Sequence, residues 1–67
     1  MKITLNNSSE TVEGNSITID NLLKVKNFTF KMLIIKVNGN LIQKEDYATT
    51  RIKEGDDVSV LHLISGG

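Results

Sequence analysis

Residues 33–42 read LIIKVNGNLI, and the pairing of this decapeptide decides the fold. Leu33, Ile35 and Val37 recur at the two-residue period of a strand with one buried face. Asn38-Gly39 is the strongest short signal for a tight hairpin turn, because both residues accept positive φ. The stretch is therefore expected to form two antiparallel strands joined at residues 38–39. The same alternation places Ile34 on the opposite face from Ile35.

Upstream, residues 1–6, MKITLN, alternate in the same way, with Met1, Ile3 and Leu5 on one side. NNSS at 6–9 is a cluster of turn formers, and ETVE at 10–13, bounded by Gly14, completes a first hairpin. Thr18 can cap a helix through its hydroxyl, and Asp20 suits the positive end of the helix dipole. Ile19, Leu22, Leu23 and Lys26 follow at helical spacing, which predicts a helix over residues 19–26. Asn27 tolerates the left-handed conformation that ends helices, and FTF at 28–30 continues a helix poorly.

Downstream, residues 43–57, QKEDYATTRIKEGDD, are polar apart from Tyr47, Ala48 and Ile52. They read as a surface crossing anchored by Tyr47 and Ile52, with a turn at Gly55-Asp56. DVSVLHLI at 57–64 is the last strand. The predicted order is β-β-α-β-β-β, an α+β roll whose helix covers one sheet face and whose last strand lies beside the first. Ile3, Leu22, Ile35, Val37 and Val60 are expected to share one core.

Composition narrows the function. Sixty-seven residues suit one small domain, and the absence of cysteine removes disulfides and thiolate chemistry. Eight basic and eight acidic residues balance without a basic run, which argues against nucleic acid and anionic membranes as partners. The longest apolar run, MLII at 32–35, is far too short to span a bilayer, and no secretion-signal plan opens the chain, so a soluble cytoplasmic protein is expected. No GxxxxGK[ST], GxGxxG or HExxH pattern occurs, so phosphate-cradle and zinc-hydrolase chemistry have no sequence support. His62 has no cysteine, serine elbow or second histidine at recognisable spacing and reads as a partly exposed strand residue. Asp56 and Asp57 read as turn chemistry rather than a metal site.

In the last strand, inward Val58 and Val60 put Ser59, Leu61 and Leu63 on the other face, with Ile34 on that same outward parity. Apolar residues grouped there suggest a docking patch. Beyond them come Ser65, Gly66 and Gly67. Glycines without Cβ let surrounding backbone approach closely, and three extended residues reach roughly 10 Å.

The Asn6-Asn7 turn, TIDNLL at 18–23, VNGNLIQKEDYA at 37–48, KEGDDV at 53–58 and ISGG at 64–67 together resemble the ThiS family of sulfur carriers over essentially the whole chain. Only the Gly66-Gly67 pair is specific for chemistry; the other pieces specify the fold. Ser65 departs from the alanine or glycine common in the family, and SSETVEGNS at 8–16 is unusually polar.

The resemblance implies a ubiquitin-like β-grasp: a mixed sheet with one helix packed across one face, as a single domain over 1–67 with 65–67 as a flexible tail. It implies a carrier rather than an enzyme, monomeric when free. Gly67 would be adenylated by an E1-like (ThiF-like) adenylyltransferase using ATP and magnesium. A sulfur donor would then convert the adenylate to a thiocarboxylate for a ThiG-like thiazole synthase. Ser65 and Gly66 would form the arm, and Leu61, Leu63 and Ile34 the partner-docking surface. The small subunit of molybdopterin synthase, a modifier joined to lysines through Gly67, and a β-grasp interaction module share enough of these features to stand as alternatives.

Overall fold

In the computed structural model of the chain, residues 1–28 and 32–62 are described. The elements run β1 (Lys2–Leu5), β2 (Ser8–Thr11), β3 (Ser16–Thr18), α1 (Ile19–Val25), β4 (Leu33–Val37), β5 (Asn40–Ile42), β6 (Arg51–Lys53) and β7 (Asp57–His62). A 3-10 turn at Lys44–Asp46 lies between β5 and β6.

Five strands form one mixed sheet in the order β2-β1-β7-β4-β5, and β3 pairs with β6 in a separate two-stranded sheet. The central pair, β1 and β7, is parallel, with Leu5 opposite Val58. The outer pairings are antiparallel. Parallel neighbours need a long connection between them, and here everything from β2 to β6 lies in that connection. The last described strand therefore ends in the middle of the sheet, bounded by β1 and β4. Among the described residues this is the α+β, β-grasp arrangement of a mixed sheet and one α-helix.

Both tight hairpins follow from residues that accept positive φ. In the second, Asn38 (φ 52°) and Gly39 (φ 84°) form the turn, and Val37 pairs with Asn40 across it. In the first, Asn6 (φ 50°) and Asn7 (φ 67°) do the same, so that Leu5 pairs with Ser8. Positive φ at both central residues gives the turn whose twist matches the flanking strands. Two asparagines complete this turn, so Ser8 and Ser9, read from the sequence as turn residues, belong to β2. The strand also closes earlier than expected, at Thr11.

The helix is bounded as its sequence dictates. The Thr18 hydroxyl accepts from the Asn21 N–H at 3.3 Å, with Asp20 in the first turn and Lys24 in the last. At the other end Asn27 is left-handed at φ 58°. Its N–H donates to the Lys24 carbonyl at 3.2 Å, and the Phe28 N–H donates to the Leu23 carbonyl at 2.8 Å. This pair of bonds is the glycine-type helix stop with asparagine in the glycine position. Half-buried Phe28 and Leu23 pack against the core beside it.

Ile3, Leu5, Val12, Ile19, Leu22, Ile35, Val37, Tyr47, Ile52, Val58 and Val60 form one buried cluster. The five expected core residues are all in it. No buried polar side chain occurs among the described residues. Among those residues, no helix is long and apolar enough to cross a membrane.

Two differences from the sequence reading concern the crossing and residues 16–18. Ser16, Ile17 and Thr18 pair with Lys53, Ile52 and Arg51, forming two strands where the sequence predicted none. The pairing completes the backbone bonding of a segment whose Ile52 is fully buried. Second, the Asp56 N–H donates to the Lys53 carbonyl at 3.1 Å, so the turn is centred on Glu54-Gly55. Gly55 supplies its positive φ of 83°, and Asp56 follows the turn.

Candidate functional site

β7 is the element that leads toward residues 63–67, and its surroundings define the candidate site. Val58 and Val60 face the core, whereas Ser59 and Leu61 point the other way. Leu61 is 56% exposed. Its antiparallel partner across β4 is Ile34, which is half-buried. The register thus brings together two of the residues singled out from sequence, on the face opposite the helix. Leu63, Ser65, Gly66 and Gly67, the other residues singled out, lie outside the described residues.

The sequence reading missed one member of this face. Leu41 on β5 is 56% exposed. Leu41 pairs with Lys36, which in turn pairs with Ser59. The signal for Leu41 was available in the Asn38-Gly39 turn: a two-residue loop pairs 37 with 40, hence 36 with 41, and puts Leu41 on the outward side. The outward surface therefore has an apolar group of Ile34, Leu41 and Leu61, with Lys36 and Ser59 among them.

The edges of β7 are held by the two turn asparagines. At its start, the Asn38 N–H donates to the Asp57 carbonyl at 2.7 Å, and Asn38 Oδ1 accepts from the Asp57 N–H at 2.9 Å. Further along on the β1 side, Asn6 Oδ1 accepts from the Val60 N–H at 2.8 Å, and Asn6 Nδ2 donates to the Val60 carbonyl at 3.1 Å.

Asp56 is engaged by the turn that precedes β7. One carboxylate oxygen accepts from the Lys53 N–H at 2.8 Å and the other from Asn38 Nδ2 at 3.1 Å. This is the turn chemistry expected of it. No group of three or more histidine, aspartate or glutamate side chains is placed to hold a metal among the described residues. His62 is an exposed residue of β7, opposite Leu33. Tyr47 has its phenol pushed above the ordinary value of 10.0, first by burial and then by the nearby Asp20 carboxylate. Its place in the core, below the helix N-terminus, marks this as a structural effect.

The arrangement can present a strand end and an apolar face; nothing described supplies a nucleophile with its base. Comparison with known proteins gives this geometry a context. The ThiS family model matches residues 2–67. No curated protein sequence matches the chain significantly. The crystal structure of a thiamine biosynthesis protein (ThiS) from Geobacter metallireducens is similar at a TM-score of 0.88 and 29% identity, with all of both chains covered. An NMR solution structure of a thiamine biosynthesis protein from the same organism is similar at a TM-score of 0.80 and 29% identity, covering all of this chain and 88% of the other.

Proposed function

The chain belongs to the ThiS family, and from that premise we propose that it is a sulfur carrier of thiamin biosynthesis whose reactive group is the carboxylate of Gly67. The observation that carries the reading is the family match, which extends through residues 66 and 67. The central position of β7 supports it, because a strand held on both sides gives the residues that follow a fixed point of departure.

The chemistry belongs to partners. An E1-like adenylyltransferase directs a carboxylate oxygen of Gly67 onto the α-phosphorus of magnesium-bound ATP, and pyrophosphate leaves. A sulfur donor then delivers sulfur at the sulfide oxidation level to the carbonyl carbon, the C–O bond to AMP breaks, AMP leaves, and a thiocarboxylate remains. A thiazole synthase consumes that sulfur. The proposed site of this work is the cytoplasm. The chain's contribution is steric and conformational: Ser65, Gly66 and Gly67 form a narrow arm, and glycine at the last two positions keeps Cβ atoms out of a confined active site. Ile34 and Leu61, with Leu63, serve as the docking contacts, an assignment that the exposure of Leu61 and its pairing with Ile34 support.

The test is reconstitution with a heavy-sulfur donor. The intact chain, incubated with the adenylyltransferase, ATP and magnesium, is expected to gain the label on its C-terminal peptide. Adding thiazole synthase and its substrates should move the label into the thiazole. Label that reaches the chain but passes only to a molybdopterin precursor would reassign the pathway. Recovery of the chain joined to lysines would instead identify a modifier.

A further inference from the structure

β1 and β7 run side by side in parallel, with Thr4 opposite Asp57 and Leu5 opposite Val58. Their backbone bonds include Thr4 N–H to the Asp56 carbonyl and Asn6 N–H to the Val58 carbonyl, each at 2.9 Å. At Asn6 the chain turns away with φ 50° and returns as β2 on the far side of β1. The backbone of β1 is then no longer alongside Val60. The Asn6 side chain fills the place. Its oxygen accepts from the Val60 N–H at 2.8 Å, and its nitrogen donates to the Val60 carbonyl at 3.1 Å. A primary amide offers the same donor and acceptor pair as a peptide group. Aspartate would keep only the acceptor. Serine lacks the reach to bond both groups.

We propose that Asn6 is a positioning residue: its side-chain amide stands in for a further residue of β1, holds β7 at Val60, and thereby orders in advance the strand end that carries Leu61 and leads to residues 63–67. The two asparagine turns act on opposite edges of the strand. Asn38 secures its start at Asp57, and Asn6 secures it near its end. A strand end ordered before docking has less freedom to lose on binding, which raises affinity for a partner. That functional consequence rests on the carrier reading; the mechanical role of Asn6 does not.

Asn6→Gly isolates the amide, because glycine accepts the positive φ and keeps the backbone N–H that bonds Val58. Asn7→Gly, the neighbouring position of the same turn with φ 67°, is the control. In isotope-labelled free protein, Asn6→Gly should speed hydrogen exchange at the Val60 amide by about tenfold or more, while Ile35 and Leu22 amides change much less. Asn7→Gly should leave Val60 protected. Retained protection at Val60 in Asn6→Gly, or equal acceleration at all three amides, would overturn the proposal.

With the adenylyltransferase, Asn6→Gly should raise KM for the chain by about tenfold while kcat stays within about twofold, since the partner orders the strand end in the complex. An unchanged KM alongside lost Val60 protection would overturn the docking half of the proposal. If the unaltered chain is never thiolated, the carrier reading itself fails, and the exchange result alone decides the role of Asn6.

Discussion

Along β7, Val58 and Val60 are 1% and 7% exposed, whereas Leu61 is 56% exposed. These residues belong to one strand, and a shift of one position separates the two faces. The inward face is apolar because Val58 and Val60 belong to the buried cluster that includes Ile19 and Leu22 of the helix. The outward face has no covering element among the described residues, yet it keeps Leu61, Ile34 and Leu41. Folding explains the first face. The second is the face proposed to dock partners.

The sharpest way to break this contrast is to place the same charge on both faces. Val58→Asp buries an unpaired carboxylate within the core cluster, opposite Val37, and should leave the chain largely unfolded, read as loss of the cooperative melt. Leu61→Asp should change stability by no more than about 0.5 kcal/mol while weakening binding to the adenylyltransferase. A Leu61→Asp chain that unfolds would make the outward face structural and end the docking assignment.

Truncations inside the core test the inward half more gently. Leu22 and Ile35 are both fully buried, and replacing either with alanine should cost about 2–5 kcal/mol in denaturant unfolding. Against the few kcal/mol available to a domain of this size, either loss is a large fraction. A midpoint unmoved by both would show that the core lies elsewhere.

The smallest effect concerns Tyr47, the single tyrosine of the chain. Its phenol is held above the ordinary value of 10.0 by burial and by Asp20, so the folded state keeps a proton that the unfolded chain has begun to release. The stabilisation is fully present below the unfolded value, about pH 10, and is lost as pH rises through the raised folded value. Stability should therefore decline more steeply above about pH 10 than in Tyr47→Phe. Equal slopes in the two proteins would remove Tyr47 from the alkaline response.

Much of this fold was legible because single residues carry unambiguous backbone demands. Asn38-Gly39 announced its own register, and Thr18 and Asn27 marked the helix ends within a residue. The helix closes at Val25, with Lys26 as its cap. Strands β3 and β6 were illegible because three residues each are too few to display an alternation. Their Ile17–Ile52 pairing joins segments far apart in the chain. Turn propensity misled at Ser8 and Ser9, where the Asn6-Asn7 turn was already complete and ladder pairing to β1 took the serines. Within the candidate site, parity alone placed Leu61 outward. The clamp of Asn6 on Val60 could not be read, since its two partners are 54 residues apart and the sequence shows only a turn former.

The measurement that bears most directly on the carrier account pairs intact-protein mass with a thermal melt for the chain lacking Gly67. No core residue among those described lies beyond Val60, so the deletion should leave the melting midpoint unchanged. With adenylyltransferase, ATP, magnesium and a sulfur donor, the full chain should exchange one oxygen for sulfur at its C-terminal residue, and the shortened chain should not. Thiolation of the shortened chain at the rate of the full one, with the same melt, would show that the carboxylate of Gly67 is not the sulfur site.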